Sequence, residues 1–485
     1  MSSAADSPRR FVRLAIGLAA LDALVTIPFV HRGPAEGDTI RYALDLERWR
    51  LGEKALGSLF NGDVCFGSYT LARAVAGVLS IDRSGLPAVW NGLACAAGII
   101  ATGSLSFVVA RSFGRGSALL FGLLLLSAPG WWMLHLYGNP NMIGLAFAAA
   151  AWACLTPPGP RRAVLAGLLG AAALCARTDV AILAPAIVAA SRLGPRPVAW
   201  RWLGLAALVA LSGFALGCFV AGAPPPLVGN VGRHVDANLG GKLRWTAQNL
   251  AFLATGLPPL VAVAAVAALF IVRGDDGRRA RSLALVWLAP ALIFLIFGRV
   301  PLTRILAPLW PAALLPLSVG LASLWPLRPR RRWLVVGLLV VAAHLAAALT
   351  PRAIETVTGR SLEGRGVGHF YFLGWMGAER GRVARHFTAL ENDARRVLET
   401  SLPGETTAIV GDDGIAYLWT LAAALPRFET QLLGVAYATR VEELRDPTTD
   451  RRWWLLSLRP GAEPMAVLGS FGLTEPTRLW RTPAD

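Results

Sequence analysis

Lysine is almost absent from this 485-residue chain and occurs only at Lys54 and Lys242. Acidic side chains are scarce too, 30 against 47 basic ones, and charged residues make up only 16% of the sequence. A soluble protein devotes about 25% of its residues to charge in order to cover its surface, so an assembly of soluble domains is excluded. The 55% share of hydrophobic residues excludes intrinsic disorder as well. Cysteine is sparse: Cys65, Cys95, Cys154, Cys175 and Cys218 show no CxxC spacing and no neighbouring histidine cluster. A disulfide framework and a zinc site therefore lack support. Four of the five thiols fall inside apolar runs, where cysteine acts as a small hydrophobe. Internal repeats and low-complexity linkers are missing.

Long apolar runs fill the space those absences leave, and the mean hydropathy is +0.52. A helix that crosses a bilayer needs about 20 mostly apolar residues. The first candidate runs from Phe11 to Val30 behind Arg9 and Arg10. No small-residue cleavage site follows it, so it reads as a retained signal anchor. Further candidates are Ala88–Ala110, Ser117–Tyr137, Asn141–Leu155, Ala163–Ala176, Val180–Ala190, Trp202–Val220, Leu250–Val272, Ser282–Phe297, Ile305–Leu324 and Trp333–Leu349. The expectation is an all-α polytopic membrane bundle of about 11 transmembrane helices. The short segments around residues 141–190 need extension, tilt or burial inside the bundle.

The net charge of +17 would suggest nucleic acid in a soluble chain. Here the arginines fall into alternate loops. Arg111 and Arg115, Arg161 and Arg162, Arg192, Arg196 and Arg201, Arg273 to Arg281, and Arg328 to Arg332 would share one side, with far fewer on the other. Such a bias orients a multi-pass inner-membrane protein with its N-terminus cytoplasmic and its C-terminus outside. The expected partners thus include membrane lipids and exclude nucleic acid.

Two regions outside are then large. Residues 351–485 are less apolar and read as a soluble domain, against a membrane domain over residues 1–350. Thr406–Val410 and Arg452–Leu458 read as strands and Ile415–Leu425 as a helix, which predicts an α/β extracytoplasmic domain. Asp412 and Asp413 fit a turn at the strand end. The other region, His31–Pro87, contains two helix-compatible segments, Thr39–Glu53 and Phe66–Leu79. Their aromatics and arginines suit helices lying in the membrane interface.

Chemistry concentrates at the start of that loop, in Glu36-Gly37-Asp38-Thr39-Ile40-Arg41-Tyr42. Arg41 and Tyr42 lie about one helical turn beyond Asp38 and can share its side of a site. This stretch resembles the first-loop motif of the GT-C membrane glycosyltransferases, the class of protein O-mannosyltransferases and bacterial aminoarabinose transferases. Their common form is Asp-Glu-x-Arg-Tyr-Ala; the usual Glu is Thr39 here, and Glu36 stands nearby to compensate. The turn Arg111–Arg115 (RSFGR) and the span opening Arg304–Pro311 (RILAPLWP) resemble further elements of the class. The resemblance covers roughly residues 10–350.

That resemblance implies a GT-C fold and a reaction. The donor is a sugar on a polyprenyl phosphate; the acceptor is a hydroxyl of a lipid, glycan or protein on the extracytoplasmic face. A carboxylate at Asp38 would take the acceptor's proton. Arginine would hold the departing phosphate, with Arg41, Arg299 and Arg304 the outer-surface candidates. Glu36, Tyr42, Asn139, Arg177 and His234 complete the expected substrate-binding set. Many members carry a second acid in the next outer loop, where this chain has Gly138-Asn139-Pro140-Asn141. Asparagine hydrogen-bonds a hydroxyl but holds a metal less strongly, so a divalent cation is weakly supported and no cofactor is assigned.

Plainer roles exist for each residue. A lone Asp after a span is ordinarily a solvated loop residue, and here the combination with Arg41, Tyr42 and the topology favours function. Arg299 and Arg304 suit headgroup anchors equally well. Arg177 and Asp179 either pair structurally or line a cavity, and His234 lies in an outer loop of the kind that is usually solvated. Asp22, inside the first span, must face protein or water, and His135 reads as a span-end polar residue. A transporter or flippase of lipid-linked saccharides is the alternative. It would favour repeated halves and charged, broken helices at mid-bilayer, whereas the polar candidates here cluster at the outer face.

Overall fold

The chain is described by a computed structural model. It describes residues 8–30, 37–52, 54–62, 65–82, 85–136, 138–156, 158–194, 197–223, 256–257, 259–297 and 309–324, and three strands beyond them. The helices are α1 (Pro8–Thr26), α2 (Gly37–Arg50), α3 (Phe66–Val78), α4 (Leu86–Phe113), α5 (Arg115–Leu126), α6 (Pro129–Leu136) and α7 (Pro140–Cys154). They continue with α8 (Pro160–Ala176), α9 (Ala184–Leu193), α10 (Trp200–Ala221), α11 (Pro259–Ile271), α12 (Gly274–Phe297) and α13 (Leu309–Leu324).

Local chemistry sets many of the boundaries. Pro87 opens α4, where its missing N–H costs nothing. Asn139 caps α7, its Oδ1 accepting from the Met142 N–H at 3.0 Å just ahead of Pro140. Gly222 ends α10 with φ +63°, a left-handed conformation that favours glycine. The Gly222 carbonyl then lies 2.4 Å from where a Cβ on Gly57 would sit, so the loop after α2 reaches the α10 end through backbone contact.

Helices α4 and α10 are each long and apolar enough to cross a membrane. The expected span Ser117–Tyr137 is instead broken into α5 and α6, which meet at a bend of 74° and together make a third candidate crossing. Pro129 supplies no N–H across this break, while the Ser127 hydroxyl donates to the Leu124 carbonyl at 2.7 Å. The Trp132 indole donates to the Leu126 carbonyl at 2.7 Å, so that acceptor is satisfied inside the bundle. The expected span Val180–Ala190 is a 3₁₀ turn, Thr178–Leu183, followed by the ten-residue α9. Helix α12 starts eight residues before the expected Ser282, because Asp275 and Asp276 favour its N-terminal turn. Leu260–Ile271 and Leu309–Ser323 are shorter apolar helices, and the expected span Trp333–Leu349 lies outside the described residues.

The bundle has two chemically different ends. At one, Arg279 near the start of α12 donates to the carbonyls of Ser112 and Leu193, at 3.4 and 3.5 Å. It also lies over the Phe113 ring, and Arg111 lies over Phe11 of α1. The ends of α4 and α9 and the first turns of α12 thus gather here, with Arg111 and Arg279 among them. The opposite end brings together α2, α3, the start of α4 and the turns before α7 and α9.

In the C-terminal region the described residues are the strands β1 (Thr406–Val410), β2 (Trp453–Ser457) and β3 (Arg481–Thr482). β1 pairs with β2 in parallel, Thr406 opposite Trp453, and β2 pairs with β3 antiparallel. A parallel pair needs a crossover connection between its strands. The expected helix Ile415–Leu425 lies within that connection and outside the described residues.

Candidate active site

Helix α2 is held at the end away from the arginine turns by a cluster of large rings. Tyr42 and Trp90 have centroids 5.3 Å apart, and Tyr69 of α3 meets Trp90 edge-on at 5.1 Å. All three rings are fully buried. Each such pair contributes about 0.5–1.5 kcal/mol beyond its buried area. Tyr42, expected among the substrate-binding residues, is therefore an anchor for α2 by its ring.

One turn earlier along α2, the buried Thr39 donates its hydroxyl to the Gly138 carbonyl at 3.3 Å. The Gly138 N–H donates to Asn91 Oδ1 at 2.9 Å. A Cβ at Gly138 would lie 2.6 Å from Trp90 Cβ, so no other residue allows this approach. The turn before α7 is thus clamped between α4 and the first turn of α2. Asp38 precedes Thr39 in that first turn, about 3.8 Å away along the backbone. The backbone places Asp38 and Arg41 on one short helix at this end. Their side chains, together with Glu36, His234, Arg299 and Arg304, lie outside the described residues.

The same turn leads to a second carboxylate. Asn139 is buried and spends its Oδ1 on capping α7. Two residues on, Asn141 Nδ2 donates to Asp179 Oδ2 at 2.7 Å. Arg177 Nε donates to that same oxygen at 3.0 Å. Exposure is 16% for the Arg177 side chain and 12% for Asp179, so water screens this contact only in part. Gly144 lets α7 approach: a Cβ there would meet Arg177 Cβ at 3.2 Å. The Ser68 hydroxyl of α3 donates to the Ala176 carbonyl at 3.1 Å, tying the end of α8 to α3.

The loop that lacks an acid of its own is therefore supplied with one by the next turn. Asp179 was visible in sequence only as a neighbour of Arg177; no local signal joins it to Asn141, 38 residues away. Toward the C-terminal end of α2, Lys54 Nζ binds Asp45 Oδ1 at 2.7 Å and Arg73 lies 4.3 Å over the Trp49 ring. Among the described residues, no group of three or more His, Cys, Asp and Glu side chains comes together as a metal site.

No protein-family model matches the chain, and no curated protein matches it. Solved structures do. ArnT from Cupriavidus metallidurans in the apo state is 17% identical, with a TM-score of 0.56 over 85% of this chain and 83% of that one. ArnT from the same organism bound to undecaprenyl phosphate is 15% identical, with a TM-score of 0.60 over 97% of this chain and 96% of that one. The chain has the ArnT fold. The GT-C architecture implied by the first-loop motif is met at the level of the fold.

Proposed function

We propose that the protein is a polyprenyl-phosphate-dependent membrane glycosyltransferase. It would move a sugar to an acceptor hydroxyl on the extracytoplasmic face. One observation carries the reading: a fold shared over nearly the whole chain with an ArnT that binds undecaprenyl phosphate. The motif residues support it, since Asp38 and Arg41 lie on a helix docked at the end opposite the arginine turns.

The reaction follows from the charges. The acceptor oxygen attacks the anomeric carbon as the bond from that carbon to the phosphate oxygen breaks. Asp38 takes the acceptor's proton, and the bonding pair leaves with the polyprenyl phosphate. Arginines stabilise the growing phosphate charge, with Arg41, Arg299 and Arg304 assigned that role. Arg177, held by Asp179, lies on the turn beside Asn141 and would meet the sugar or acceptor side. Because the lipid keeps the donor at headgroup depth, much of the rate comes from holding both partners in line. A single displacement gives inversion at the anomeric carbon. In this reading residues 1–350 carry the catalysis and residues 351–485 form an extracytoplasmic α/β domain.

The deciding experiment is transfer from a panel of radiolabelled polyprenyl-phosphate sugars, comparing wild type with Asp38→Asn. The wild type is expected to transfer one of them. The variant should lose nearly all turnover while its donor binding changes less than threefold. Full activity in the variant removes Asp38 from the role of base. Substrate movement across vesicles without transfer would establish the transporter reading instead.

A further inference from the structure

An ionisable pair lies inside the bundle, outside the site just described. Asp22 of α1 and His135 of α6 are both fully buried, and His135 Nδ1 is 3.4 Å from Asp22 Oδ1. The other carboxylate oxygen of Asp22 accepts from the Thr102 hydroxyl of α4 at 2.6 Å. Thr102 Oγ1 in turn accepts from the Trp131 indole of α6 at 3.0 Å. Thr26 donates to the Asp22 carbonyl at 2.7 Å, and Cys95 Sγ lies 3.6 Å from the Thr26 hydroxyl. The His135 ring rests on α4, where a Cβ on Gly98 would fall 1.5 Å from its Cδ2. Three helices therefore meet through polar side chains in a largely apolar interior.

Such groups are expensive in a membrane bundle and mark function by default. Apolar packing would join the helices without the desolvation penalty. Polar contacts add directionality: the Trp131–Thr102 hydrogen bond and the His135–Asp22 approach are each made at only one rotation of α6. That helix has eight residues, too few to hold its own geometry. A slip of one residue turns it by about 100° and takes His135 away from Asp22. Three residues after His135 comes Gly138, whose N–H and carbonyl are bound by Asn91 and Thr39.

We propose that Asp22 and His135 are positioning residues that fix the rotation of α6. Through it they set the Gly138–Asn139 turn on which the Asp38-bearing helix is docked. The catalytic part of this inference rests on the glycosyltransferase reading; the positioning part does not. Neither side chain touches substrate in this account.

Hydrogen–deuterium exchange on the full-length protein in lipid nanodiscs tests it, with Asp22→Asn and His135→Gln. The expected result is exchange at least tenfold faster at the amides of Gly138 and Met142, which are bound by Asn91 and Asn139, with residues 200–221 of α10 unchanged. In the transfer assay the same variants should lower kcat at least tenfold and alter KM for the donor less than threefold. Thr102→Val removes the hydroxyl bound to Asp22 and serves where the pair variants do not fold. It should deprotect the turn, and Thr102→Ser should restore protection. Unchanged protection of Gly138 and Met142 in every folded variant overturns the proposal, as does faster exchange spread evenly over the bundle. If no donor is turned over by wild type, the glycosyltransferase reading falls while the exchange data still decide the positioning role.

Discussion

Asp179 shows how one carboxylate can order two neighbours. Its Oδ2 receives Asn141 from α7 and Arg177 from the end of α8. Hydrogen bonds to a charged group are worth about 1.5–3 kcal/mol each when shielded from water. Asp179→Asn leaves a carbonyl oxygen to accept from Asn141 but removes the charge opposite Arg177. We expect it to reduce kcat for sugar transfer at least tenfold with only a small shift in melting temperature. Asp179→Ala should add a stability loss of about 1–3 kcal/mol, read from thermal unfolding in detergent. Wild-type turnover in Asp179→Asn would make the residue purely structural. Tyr42 illustrates the converse: a residue that matches an active-site motif uses its ring to pack, edge-on to Tyr69 and tilted against Trp90.

Among the elements, the break between α5 and α6 has the most consequences. It depends on a close approach of three segments. The Gly130 N–H donates to the Gly256 carbonyl at 3.0 Å, and the Trp310 ring at the start of α13 fills the space between the two glycines. A Cβ on Gly130 would fall 2.3 Å from Trp310 Cη2, and one on Gly256 would fall 2.1 Å from Cζ2. Gly130→Ala should therefore destabilise the protein by about 1–3 kcal/mol through overpacking. Replacing Trp310 with the smaller Phe in the same chain should recover part of that loss. A double-mutant cycle by thermal unfolding measures the coupling, and strictly additive losses would show that the ring does not fill this gap. Since Trp310 opens α13 and α6 leads to Gly138, this packing joins α13 to the turn on which α2 is docked.

Polarity organises the whole molecule. Arg111, Arg279 and the ends of α1, α4 and α9 share one end, and the first turn of α2 and the Asp179 turn share the other. Cytoplasmic placement of the arginine end predicts a labelling pattern. Both Ser58 and Gly116 are exposed, at opposite ends. A cysteine at Ser58 should react with a membrane-impermeant thiol reagent in intact cells, and one at Gly116 only after permeabilisation. Of the five native cysteines, Cys65, Cys95 and Cys218 are buried and Cys154 and Cys175 half-buried, which keeps the background low. The reverse pattern would invert the orientation and move the proposed chemistry to the cytoplasmic face.

Composition and one-dimensional pattern were enough to establish a helical, apolar, arginine-polarised chain and to mark the Asp38 stretch. Those properties belong to single segments, because hydropathy and charge act residue by residue along the chain. The helix starts at Gly37 and Phe66 follow the same logic and came within two residues of the expected Thr39 and at Phe66 itself. Helix packing alone decided the rest. Asn141 meets Asp179, Thr39 meets Gly138 and Asp22 meets His135 because separate helices converge, over 38, 99 and 113 positions of sequence. The bend after Leu126 likewise needs the Gly256 carbonyl, from a distant segment, to accept the Gly130 N–H that an isolated apolar run would leave unbound.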